Sequence, residues 1–213
     1  PFEIIGGQVV SNTVSGFTVI SLNGSGTISG TAVLSNTSGA FAIATGPSSS
    51  VSAHGLIVRN NVGGIGSSGV LTITDSIVEN NGGGTGAAVD SGNWLVMDGC
   101  TIQGNSTPGV VNIPTGYAQI RNTKIVNNVV TTSHNFVVGI GEDGTTPTVD
   151  MINVLLADNE SGPPLVNVQS ETGSAMLMNV TVTGNQIPEN PILHTFGAMT
   201  LANIIVWGNT TSV

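Results

Sequence analysis

An asparagine recurs along the chain at Asn12, Asn36, Asn61, Asn81, Asn105, Asn128, Asn159, Asn185 and Asn209, at intervals of 20 to 31 residues. A period of that size decides the fold before local propensity does, because one small unit must be stacking on copies of itself. The columns upstream of the marker test the repeat. Three residues before it stand Val9, Val33, Val58, Val78, Ile102, Ile125, Leu156, Val182 and Val206, and eight before it stand Ile4, Ile28, Ala53, Ile73, Met97, Ile120, Met151, Leu177 and Leu201. Neither column contains a polar residue.

Six before the marker the residues are Gly6, Gly30, Gly55, Asp75, Gly99, Asn122, Asn153, Asn179 and Asn203. These are the residue types that tolerate a positive φ, so a sharp corner is expected between two short strands. One coil then reads as a strand over Ala175 to Met178, a corner at Asn179, and a strand over Val180 to Thr183 that ends at Asn185. A third apolar run follows in most coils, as in Ala40 to Ile43, Ala87 to Val89, Val110 to Ile113, Phe136 to Val138, Leu165 to Val168 and Ile192 to His194. The glycine-rich stretches around Gly63 and Gly82 read as turns between coils. Strands of 4 to 5 residues leave no room for the roughly ten-residue helices of an α-solenoid. The expectation is an all-β chain: a right-handed parallel β-helix, a three-strand solenoid of about nine coils, spanning residues 1–213 as one domain. Its marker asparagines would stack into a ladder of side-chain amides. The start at Pro1 suggests a processed product or a segment of a longer chain.

Charge narrows the partners. Three Lys and Arg stand against twelve Asp and Glu, for a net charge of −9. Such a chain repels phosphate backbones and anionic lipid heads, so nucleic acid is not an expected partner. No apolar run reaches the roughly 18 residues of a membrane span. Only 7% of residues are charged, against about 25% in an ordinary domain, so Ser, Thr, Asn and Gly must cover the surface. A lone Cys100 permits no internal disulfide and falls in an otherwise aliphatic column, which makes it a buried, inert thiol.

Candidate chemistry is sparse. Asp90, Glu142, Asp143 and Glu171 each precede a glycine turn just after the third strand, with His194 near the equivalent place in a later coil. If their register held, Glu142 or Asp143 would lie one rung from Glu171, a spacing suited to a pair of catalytic carboxyls or a Ca²⁺ ion. Turn solvation explains the same residues without a ligand, and no other cofactor or metal is expected. His54, His134 and His194 are too scattered to form a metal cluster. Arg121 is expected to pair with Asp98 and Asp150 in adjacent coils.

The segments Asn179-Val-Thr-Val-Thr-Gly-Asn185, Asn203-Ile-Ile-Val-Trp-Gly-Asn209 and Gly99-Cys-Thr-Ile-Gln-Gly-Asn105 resemble the parallel β-helix repeat proteins. More narrowly, they resemble the secreted surface proteins related to polymorphic outer-membrane and autotransporter passengers. The Gly-Gly-Ala-Ile and Phe-x-x-Asn signatures of the outer-membrane group are not kept. This resemblance implies a protein outside the cell or at its surface. Outward positions on the marker strand include Ile57, Ile77, Leu155, Ile205 and Trp207, a candidate interface for copies of the chain or for flanking segments. The functional expectation is therefore a non-catalytic structural module of a surface filament, adhesin or coat that acts by shape and self-association. The alternative is a carbohydrate-active β-helix, an enzyme or glycan-binding module using the four carboxylates.

Overall fold

A computed structural model describes residues 1–132, 136–141, 146–188 and 190–211. The described chain is all β. Three parallel sheets run its length, the first from Phe2–Ile5 to Ala198–Ala202 and the second from Gln8–Val10 to Ile205–Trp207, each with nine strands. The third has eight, from Thr18–Leu22 to Leu193–Thr195. Eight turns therefore carry all three strands and a ninth carries two. Each strand pairs with the strand one coil away, so a marker column in sequence becomes a row of stacked side chains: Val70, Leu71 and Thr72 lie opposite Trp94, Leu95 and Val96.

Alternation sorts the side chains. In the first sheet, strands such as Val70–Thr74 bury their second and fourth residues and turn the other three outward, as the period of two requires. The two apolar columns found in the sequence fill the core, where Ile73, Val78, Met97, Ile102, Ile120, Ile125 and Leu156 have no exposed surface. A single coil could not bury these faces; nine coils share one continuous interior.

Both corners of the marker strand are left-handed. All nine residues of the column six before the asparagine have positive φ, from Asp75 and Asn122 at 49° to Gly99 at 66°. A second such column lies immediately before the marker, where Ser11, Ser35, Asn60, Asn80, Gly104, Asn127, Asp158, Gly184 and Gly208 all have positive φ.

The third sheet departs from the sequence reading in two ways. Its strands begin one or two residues later than the apolar runs suggest, at Phe41, Val89, Val111, Val138, Val166 and Leu193. The preceding residues Ala40, Ala88, Val110, Val137 and Leu165 are buried at the corner itself, so burial runs on across the bend and mimics a strand. The glycine stretch at Gly63 is also more than a turn, since Ile65–Ser67 forms a third-sheet strand. Glycine is required there by contact: a Cβ on Gly66 would sit 2.7 Å from the Phe41 ring, and one on Gly64 would sit 2.0 Å from the Ala88 carbonyl oxygen.

Candidate functional site

The asparagine ladder is complete over nine coils. Each marker Oδ1 from Asn36 onward accepts two bonds from the asparagine of the preceding coil, one from its backbone N–H and one from its Nδ2. Each of the same markers also donates from Nδ2 to the carbonyl of the apolar residue three before the preceding marker, as Asn105 does to Val78 at 2.9 Å and Asn128 to Ile102 at 3.0 Å. Interior members are buried with both amide ends satisfied, which is why asparagine, and no apolar residue, holds this corner. A second, outward ladder follows the first corner, where Asn203, Asn179, Asn153 and Asn122 donate in series and Asn122 ends on Asp98 at 2.8 Å.

The candidate carboxylates do not assemble within the described residues. Asp90 lies inside the strand Val89–Ser91, on an outward column shared with Gly66, Asn112, Gly139, Asn167 and His194. In that column Asn112 donates to Asp90 at 3.4 Å, and His194 Nδ1 lies 2.8 Å from Asn167 Oδ1. Glu171 belongs to a later turn, beyond the strand Val166–Val168, and is exposed. The residue equivalent to Asp90 in that coil is Asn167, three rungs or about 14 Å along the stack from Asp90. Asp90 and Glu171 thus do not share a column. Glu142, Asp143 and His134 lie outside the described residues. Among the described residues, no three His, Cys, Asp or Glu side chains converge as metal ligands.

Asp90 does line a cavity of about 320 Å³ on the outer face of the third sheet, with Phe17, Phe41, Thr45, Ser67 and Pro114. Phe17 and Phe41 meet edge to face, 5.6 Å between centroids.

The charged residues are disposed differently from the sequence expectation. Arg59 pairs with Glu79 on the second sheet through Nε at 2.5 Å, and Gln103 donates to the same carboxylate at 2.6 Å, which nearly buries Glu79. No ion pair joins Arg121 to Asp98 or Asp150 among the described residues: Asp98 accepts from Asn122, and Asp150 accepts from Tyr117. Cys100 is buried as expected, with its thiol directed at the Ile73 carbonyl, and burial pushes its pKa up to about 11.

The sequence reading missed an aromatic platform on the first sheet. Trp94 and Tyr117 open adjacent strands, Trp94–Asp98 and Tyr117–Arg121, in outward positions directly opposite one another. Their rings lie 4.7 Å apart at an angle of 48°. Tyr117 Oη donates to Asp150 at 2.7 Å and accepts from Gln119 Nε2 at 3.1 Å. Burial, and then the bond to Asp150, raises the phenol pKa. The available signal was two aromatics eleven residues before successive markers in a chain with only 4% aromatics.

The candidate interface residues divide. Ile57, Ile77 and Leu155 are half-buried by stacking along the second sheet, whereas Ile205 and Trp207 are 59% and 74% exposed on its last strand. In the same last coil, Leu201 and Val206 occupy core columns yet are 50% and 46% exposed. No protein-family model matches the chain, and no curated protein aligns with it significantly.

Proposed function

We propose that the chain is a non-catalytic structural β-helix module of an extracellular filament, adhesin or coat, working by shape and by stacking of coil upon coil. The observation that carries this reading is the continuous stack itself, in which three parallel sheets and a buried asparagine ladder repeat from coil to coil, so that the molecule is built by adding one coil to the next. An open strand edge over apolar side chains is a template for one more parallel coil. The ladder follows the same logic, since each interior marker accepts from the marker of one neighbouring coil and donates to that of the other, as Asn128 does between Asn105 and Asn159. The incoming coil can belong to a flanking segment of the chain or to a second copy. Axial stacking is favoured over lateral packing, because Ile57 and Ile77 lie opposite one another on adjacent coils and both, like Leu155 three rungs further on, are already half-buried.

Electron microscopy of the purified chain tests self-association. Rods longer than the roughly 40 Å of nine stacked rungs support it. Particles that remain single 40 Å units at high concentration count against it.

A further inference from the structure

We propose that the first sheet carries a binding platform for a neutral glycan chain, built on Trp94 and Tyr117. Aromatics make up only 4% of the chain, and an outward Trp at 45% exposure beside a Tyr has no core to fill. The flanking residues of the same outward column are small: Ser50 and Val70 on one side, Thr148 and Ser174 on the other. The two rings therefore stand above small, mostly hydroxylated neighbours in their own column of a mixed polar face. Such a face offers the apolar C–H side of a pyranose something to lie on, with polar groups at its rim for the sugar hydroxyls, the mix of aromatic anchor and placed hydrogen-bonding groups that small-molecule sites use.

Those polar groups are present and fixed. The Tyr117 hydroxyl is held by Asp150 and Gln119, so the ring is set before any ligand arrives and little ordering is needed on binding. Arg121 follows on the same strand with its guanidinium exposed and no ion partner among the described residues, which leaves its five N–H donors for hydroxyl oxygens. One cation among Asp98, Asp150 and a chain charge of −9 does not favour a polyuronate, so the ligand is assigned as a neutral hexose or pentose polymer. Parallel rungs repeat about every 4.8 Å, so a chain lying along the stack would present successive sugars to successive coils. This inference is independent of self-association: a chain that never polymerises would keep the platform.

The test is a glycan array followed by isothermal titration calorimetry on the intact chain, with neutral gluco-, manno-, xylo- and chito-oligosaccharides in one arm and oligogalacturonates in the other. The expected result is binding to at least one neutral series, weakened about tenfold or more by Trp94→Ala and several-fold by Tyr117→Phe, which keeps the ring and removes the bond to Asp150. Unchanged circular dichroism and melting temperature establish that each variant is folded; if Trp94→Ala is not, Trp94→Leu and Tyr117→Phe decide. No binding across the neutral series, binding indifferent to these substitutions, or tighter binding of the oligogalacturonates would each overturn the proposal.

Discussion

Replacing Asn128 by Asp changes one atom of the ladder and reverses its hydrogen-bonding sense. Asn128 is fully buried, and its Nδ2 donates to Asn159 Oδ1, to the Ile102 carbonyl and to the Val126 carbonyl, each at 3.0 Å. Its Oδ1 accepts from Asn105 through the backbone N–H at 3.0 Å and Nδ2 at 2.9 Å. In Asn128→Asp the accepting oxygen survives, but the atom replacing Nδ2 is an oxygen that faces three acceptors. An uncompensated buried charge of this kind costs about 3–5 kcal/mol, and the protonated acid, with one O–H to donate, costs about 1–2 kcal/mol. The introduced carboxyl therefore has a folded pKa raised above its unfolded value of about 3.9. With that sign the folded variant holds the proton more tightly. Its deficit relative to the wild type is smallest below about pH 4, deepens as pH rises, and levels off above the raised pKa. Near neutral pH the loss corresponds to a drop of about 10 °C in melting temperature for a chain of this size. Asn128→Ala orphans the same Asn105 donors without adding a charge, so it should cost about 3 kcal/mol with no added pH dependence. Thermal melts by circular dichroism of both variants and the wild type at matched pH are the assay. An Asn128→Asp variant within about 0.5 kcal/mol of the wild type near pH 7, or one whose deficit is flat with pH, would refute the reasoning.

Gly55 sits at a corner with φ of 61° and nothing but backbone at 3.8 Å from an added Cβ, so Gly55→Asn should change stability by less than about 1 kcal/mol while Gly55→Val costs about 2 kcal/mol or more, as read from urea melts. Tyr117 is the chain's one tyrosine, so absorbance titration near alkaline pH reads it alone; its midpoint should lie above the ordinary 10 and fall towards it in Asp150→Asn, and an unchanged midpoint would break the assigned Tyr117–Asp150 bond. Cys100, with its pKa pushed to about 11, should resist a water-soluble thiol reagent near pH 8 in the folded chain and react on adding urea; rapid native labelling would place the thiol outside the core.

Much of this fold is legible from side-chain chemistry at fixed intervals. The Asn column is visible because the buried corner needs one side chain that both donates and accepts, and only an amide of that length fits all nine positions. The corner column ending in Asn179 and Asn203 is visible because left-handed φ selects Gly, Asn and Asp. The column just before the marker obeys the same rule but includes Ser11 and Ser35, which tolerate the conformation without announcing it. Third-sheet boundaries are harder to read, because buried corner residues such as Val110 and Leu165 look like strand residues, and Gly66 belongs to neither repeating column because its smallness serves the Phe41 ring lying on it. Function was less legible. Asp90 and Glu171 both precede glycine turns in sequence, yet loop lengths differ between coils and place them on different columns. The pairing of Trp94 with Tyr117 depends on inter-coil register, which becomes plain only when the strands are laid side by side.

Coil-on-coil assembly is the central functional claim, and small-angle X-ray scattering across a concentration series tests it most directly. Stacking through the end coils predicts rods that lengthen in steps of about 40 Å at constant cross-section, and more readily as added salt screens the charge of −9. A single rod length at every concentration and salt would contradict stacking between copies, as would growth in cross-section at fixed length.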